Sequence, residues 1–217
     1  MSKFLNDLIV IMLMAKTGCN VLDEIIGSYK GLTLIYGEAS SGKTTLAKMA
    51  AIEYSKQGKV IFLDTENGFN IERLKQLTND FDNVIKKIIL IKVRNFFYQH
   101  KAIKEISSVK GVSLIIVDTI GNFYRMNVKK DYVKANAILG KQIMILKDLA
   151  KNIPILIINQ VYSDLKSGLL NPTGGKIVVN NSDVIIRLEK KPRRLIVEKP
   201  FSKDMLFEIK KEGIVKI

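Results

Sequence analysis

The run Gly37-Glu38-Ala39-Ser40-Ser41-Gly42-Lys43-Thr44-Thr45 constrains this chain more than any other segment. It satisfies G-x-x-x-x-G-K-[ST] at every fixed position. Residues 32–36 before it form an apolar stretch of strand length. After it, Leu46, Ala47, Ala50, Ala51 and Tyr54 recur at helical spacing and predict a helix over residues 46–57. A glycine-rich turn between strand and helix cradles phosphate, because backbone N–H groups close around the anion and the helix N-terminus adds partial positive charge. The expected ligand is ATP, with Gly37 to Thr45 as its phosphate cradle. Lys43 would reach the β- and γ-phosphates, and the Thr44 hydroxyl would ligate Mg²⁺.

Strand-like and helix-like segments alternate beyond the loop. Residues 60–64, 88–93, 113–117 and 154–158 are short apolar runs, and residues 71–77, 98–109 and 135–150 carry helical periodicity. The apolar runs are continuous rather than alternating, as strands covered on both faces require. The pattern predicts an open α/β fold with a mainly parallel sheet and helices on both faces. From about Asp183 the rhythm changes. Runs at 184–188, 195–197, 205–209 and 214–217 are separated by turn signals at Lys191-Pro192, Pro200 and Glu212-Gly213, which predicts antiparallel hairpins at one sheet edge.

Ligands of open α/β sheets bind at the carboxyl ends of the strands. Asp118 ends the 113–117 run and suits the metal-side carboxylate that accompanies a phosphate loop. Thr119 follows it, so a water-activating carboxylate must come from another strand. Glu66, just past the 60–64 run, is the first candidate, and Asp64 the second. Gln160 ends the 154–158 run and could hydrogen-bond a γ-phosphate. Two stretches leave these ends. Residues 121–134 interleave Arg125, Lys129, Lys130 and Lys134 with Phe123, Tyr124 and Tyr132, and residues 162–182 carry Lys166, Lys176 and Gly174-Gly175. Cations for phosphates and aromatic faces for bases are the means of single-strand binding. Read as loops, these stretches are candidate DNA-binding segments; mobile loops without a ligand are the alternative.

Composition narrows the class. The 217 residues are 47% hydrophobic, enough for one substantial core. The expected organisation is an N-terminal extension, residues 1–16, packed on the core or on a partner, followed by one domain over residues 17–217. The apolar run at 8–15 is too short to span a bilayer. A single cysteine, Cys19, forms no intrachain disulfide and fits a reducing cytoplasm, and a single histidine, His100, leaves no Cys/His cluster for zinc. These two read as a buried thiol and a surface imidazole. The formal charge of +14 points to a polyanionic partner, most often nucleic acid; a solvated lysine-rich surface is the other reading.

Together these residues resemble the RecA superfamily, and within it the archaeal RadA/RadB recombinase group. The resemblance rests on Thr17-Gly18-Cys19 with Leu22-Asp23-Glu24-Ile25-Ile26-Gly27, and on the acidic turn from Leu63 to Leu74, where Asn67 stands at a usual glycine. It also rests on Ile157-Ile158-Asn159-Gln160-Val161 and Gly174-Gly175, over residues 17–199. It implies a RecA-like core with Glu66 as catalytic glutamate, Gln160 as γ-phosphate sensor and Arg73 as an adenine contact. It aligns the two basic stretches with DNA-binding loops. The match opens at the core, without the helix-hairpin-helix domain of the full recombinase. That implies a weak, DNA-linked ATPase assisting a RadA-type recombinase on single-stranded or branched DNA, with a homo-oligomer as one assembly open to it. Two alternatives stay open on the residues alone: a KaiC-like regulatory ATPase acting on proteins, and a non-catalytic ATP-switched binding module.

Overall fold

The computed structural model describes residues 16–163 and 170–217. The expected N-terminal extension, apart from Lys16, and the candidate Lys166 lie outside the described residues. The chain runs α1 (Asn20–Ile26), β1 (Leu32–Gly37), α2 (Lys43–Ser55), β2 (Lys59–Asp64), α3 (Ile71–Leu77), α4 (Phe81–Lys87), β3 (Ile88–Lys92) and α5 (Phe96–Glu105). It continues through β4 (Val112–Asp118), α6 (Asn122–Asn127), α7 (Tyr132–Leu149), β5 (Ile155–Ser163), β6 (Leu170–Pro172) and α8 (Gly175–Val179). It ends in β7 (Val184–Lys190), β8 (Arg193–Lys199), β9 (Lys203–Lys210) and β10 (Gly213–Lys216).

The sheet order is β10-β9-β8-β7-β1-β5-β4-β2-β3, with β6 paired to the far end of β5. Strands β7, β1, β5, β4, β2 and β3 are mutually parallel, while β8, β9 and β10 continue antiparallel from β7. The fold is therefore the expected RecA-like one, a mainly parallel sheet with an antiparallel C-terminal edge.

The continuous apolar runs have a physical cause, because each central strand feeds two cores. Ile35, Phe62, Ile116 and Ile158 point to one face, against Leu46, Ala47, Ala50 and Ala51 of α2 and Val21 and Leu22 of α1. Leu34, Ile61, Leu63, Val117 and Ile157 point to the other, against Phe96 and Ile103 of α5 and Leu139, Ile143 and Leu146 of α7. The small residues of α2 let that helix lie close on the sheet directly behind the phosphate loop.

Three segments depart from the sequence reading. The stretch 121–134 is not a loop: α6 and the first turn of α7 occupy most of it, with Asp131 capping α7 through the Lys134 N–H at 2.9 Å. The stretch 162–182 likewise holds the end of β5, then β6 and α8. α4 went unread because its two turns bury only Val84, too little to set a periodicity. Cys19 is buried, and its desolvated thiol is pushed up to about 11. His100 is half-buried rather than a surface imidazole, and burial lowers its basicity.

Candidate functional site

The register of the sheet assembles the site. Gly37 at the end of β1 lies beside Gln160 on β5, and Asp64 at the end of β2 lies beside Asp118 at the end of β4. Four residues from four segments of the chain thus meet along one edge, at the carboxyl ends of adjacent parallel strands.

The loop needs its glycines. At Gly37 an added Cβ would come within 2.2 Å of the Leu188 carbonyl oxygen, and Gly42 caps α2 with φ of 112°. Lys43 begins the helix and is buried. Its ammonium donates to the carbonyls of Gly37 at 2.8 Å and Glu38 at 2.6 Å. Desolvation lowers its basicity, opposed by Asp118, Glu66 and Glu38. The cleft over the loop holds about 170 Å³ and is lined by Ser40, Gly42, Lys43, Thr44, Thr45 and Ile209.

Thr44 donates its hydroxyl to Asp118 at 2.9 Å. Asp118 is buried, which pushes its carboxyl up to about 6; Glu66 and Asp64 add to the shift, while the Thr44 hydrogen bond and Lys43 oppose it. A hard-oxygen pair whose negative charge is held at a cost suits a divalent cation. The donor chemistry of Thr44 and Asp118 fits Mg²⁺ with a nucleoside triphosphate, and these two residues would hold it.

The two candidate bases separate cleanly. Asp64 accepts the backbone N–H groups of Glu66 (3.1 Å), Gly68 (3.1 Å) and Phe69 (2.9 Å), so its oxygens build the acidic turn. Asn67 adopts φ of 56° in that turn, a left-handed conformation that asparagine tolerates. Glu66 is exposed, and its Oε1 accepts the Thr119 hydroxyl at 3.0 Å and the Gln160 Nε2 amide at 2.7 Å. Gln160 in turn accepts from Arg125 Nη1 at 3.2 Å. A carboxylate from the turn after β2, an amide from β5 and a guanidinium from α6 form one chain.

Arg73 lies apart from the phosphate loop in its contacts. Its guanidinium donates to the carbonyls of Lys210 (2.8 Å) and Lys211 (2.9 Å) and clamps α3 to the β9–β10 turn. Of the DNA candidates, Arg125, Lys129 and Lys176 line one cavity, Lys130 lies in the turn before α7, and Lys134 is on its first turn. Sequence reasoning missed three residues. Thr119 holds Glu66, Ile209 walls the nucleotide cleft from the C-terminal hairpin, and Arg193 donates to the Ser40 carbonyl at 3.2 Å. Thr119 had a signal, adjacency to Asp118; Ile209 and Arg193 had none, being more than 150 residues from the loop they touch.

A phosphate loop between β1 and α2, a buried carboxylate two strands away and a glutamate in the turn after the next strand define a RecA-like P-loop nucleotide-binding domain. A Rad51 family model matches residues 9–216, and the chain belongs to the Rad51 family. It is similar to the DNA repair and recombination protein RadB of Methanococcoides burtonii, at 38% identity over 185 residues, covering 80% of this chain and 82% of that protein. RadB of Thermococcus sibiricus is 35% identical over 219 residues, 93% of this chain and 94% of that one. A crystal structure of the RadB recombinase superposes with a TM-score of 0.79 at 28% identity, covering 94% of this chain and all of that chain (100%).

Proposed function

We propose that this chain is a Mg²⁺-dependent ATPase of low turnover that binds DNA in the cytoplasm and assists a RadA-type recombinase in homologous recombination and repair. The observation that carries the reading is the hydrogen-bonded chain from Glu66 through Gln160 to Arg125, beside a complete phosphate loop. It joins the residue suited to orient water with a cation suited to nucleic acid. A regulatory ATPase acting only on proteins has no need of that second end.

In the proposed reaction, water oriented by Glu66 attacks the γ-phosphorus in line; the bond from that phosphorus to the β–γ bridging oxygen breaks, ADP leaves, and the proton lost by the water passes to Glu66 as inorganic phosphate forms. Lys43 leaves its loop carbonyls to stabilise charge on the transferring group, and Gln160 registers the γ-phosphate from β5. Thr44 and Asp118 would hold Mg²⁺, which when bound would supply neutralisation of phosphate charge. The +14 charge supports a polyanionic partner, single-stranded or branched DNA.

Two variants test the reading. Lys43→Ala should abolish productive ATP binding, because it removes the one cationic side chain of the loop, which lines the cleft over it. Glu66→Gln should bind ATP and lose hydrolysis by about two to four orders of magnitude. Nucleotide affinity and turnover measured on both variants decide the matter. Unchanged turnover in Glu66→Gln removes Glu66 from the mechanism.

A further inference from the structure

Lys48 lies one helical turn beyond Thr44 on α2 and is 2% exposed. A buried ammonium is costly unless it is paired. No ion pair among the described residues includes Lys48. Its Nζ donates to the Asn70 carbonyl at 3.2 Å and stands over the Phe69 ring, 5.5 Å from the centroid. Desolvation lowers its basicity; Asp118 and Asp64 oppose the shift, and Arg73 adds to it. Packing does not call for a lysine at this position. Leu46, Ala47, Ala50 and Ala51 of the same helix fill the core with apolar groups. Methionine, unbranched and a good helix former, would fill the same space without burying a charge.

What Lys48 touches shows the use of that charge. Glu66 sits on the turn between β2 and α3, and this turn has two polar anchors. At its start the Asp64 carboxylate accepts the N–H groups of Glu66, Gly68 and Phe69. At its end Lys48 holds Phe69 by the ring and Asn70 by the carbonyl, while the Asn70 side chain caps α3 through the Arg73 N–H at 3.0 Å. The first anchor belongs to β2, the second to α2. We infer that Lys48 is a positioning residue of the proposed ATPase, an internal cation by which α2 fixes the turn that presents Glu66. The inference rests on the hydrolytic reading above and adds a residue to it. Because α2 opens with Lys43 and Thr44, one rigid helix then places both the phosphate cradle and the carboxylate that orients water. In-line attack needs that separation held, and a misplacement of about 1 Å can cost about a hundredfold in rate. A neutral side chain of similar length would keep the packing and lose the grip, since it brings no charge to the ring. Phe69 also meets Phe62 edge-on, 4.9 Å between centroids, so the turn stays docked without Lys48 but is held less firmly.

The experiment measures ATP turnover, ATP affinity, melting temperature and hydrogen exchange of the nucleotide-free protein, on the full chain and its Lys48 variants. Lys48→Met should lose turnover by about ten- to a hundredfold while ATP affinity holds. Its exchange should rise in the turn that carries Glu66 and not elsewhere. Its melting temperature should not fall, because an apolar group replaces a buried charge. Lys48→Arg keeps the charge, the donors and the ring contact, and should recover turnover. Lys48→Gln, neutral and polar, should lose turnover as the methionine variant does, and it serves if that variant folds poorly. Full turnover in a folded neutral variant overturns the inference and leaves the hydrolytic reading standing. An arginine variant as slow as the methionine one also overturns it. So does exchange that rises throughout the chain with a lowered melting temperature, which marks a residue of general stability. A wild type that hydrolyses no ATP overturns the hydrolytic reading and this inference together.

Discussion

Glu66 and Asp64 are two residues apart and chemically almost alike, yet the backbone assigns them different work. Asp64 ends a strand, and its carboxylate faces the N–H groups of the turn that follows, whereas Glu66 lies on that turn and meets Thr119 and Gln160. Gln160 is the joint between this carboxylate and Arg125. A γ-phosphate drawing on the Gln160 amide would release Glu66 and disturb the Arg125 bond, so nucleotide and DNA should bias each other. Linkage makes that bias reciprocal, and couplings of this kind run to about five- to 150-fold. Wild type should bind DNA more tightly with non-hydrolysable ATP than with ADP. Gln160→Ala should bind DNA equally in both states while keeping its ADP affinity. Titrations of labelled DNA in the apo, ADP and ATP-analogue states check this, and equal wild-type affinities in all three would sink the switch.

The C-terminal hairpin of β9 and β10 is more than an appended edge. Phe207 is fully buried in the core that holds α1 and α2, Ile209 walls the nucleotide cleft, and Arg73 ties the hairpin turn to α3. Phe207→Ala should cost about 3–5 kcal/mol of stability, the range for removing a large buried ring, read from urea denaturation. A loss below about 1 kcal/mol would mean that the hairpin packs on the core without supporting it. The central strands were legible because burial on both faces forces continuous apolar runs. The short elements α4, α6 and β6 were not. Each buries few residues, and β6 exists only because it pairs with the end of β5.

Charge belongs to the molecule as a whole. The +14 surplus should make DNA affinity fall steeply with salt, by roughly 0.7 to 0.9 log units per log unit of salt for each phosphate contact. Substituting Arg125, Lys129 and Lys130 together with alanine should flatten the slope by about two to three contacts' worth. An unchanged slope would move the DNA face to Lys190, Lys191, Arg193 and Arg194. That second cluster is the poorer candidate on geometry. Arg194 lies 3.5 Å from Asp204 and 4.0 Å from Glu189, and Arg193 is committed to Ser40.

The amino-acid sequence alone determined the phosphate loop, the parallel sheet and its antiparallel edge, and it singled out Lys43, Thr44, Asp118, Glu66 and Gln160 as candidates that the fold brings to one sheet edge. These follow from local pattern: a glycine spacing, an apolar run, a polar residue at a strand end. The hydrogen-bond partners that separate Glu66 from Asp64, the Arg125–Gln160–Glu66 chain, the Arg73 clamp and the cavity between α6–α7 and β6–α8 came only with the folded chain. Each joins residues from segments that share no periodicity, and their meeting is set by strand order and register. Sequence position ranks two acidic residues at one strand end, but the direction of each carboxylate and the donors it meets are fixed only by packing.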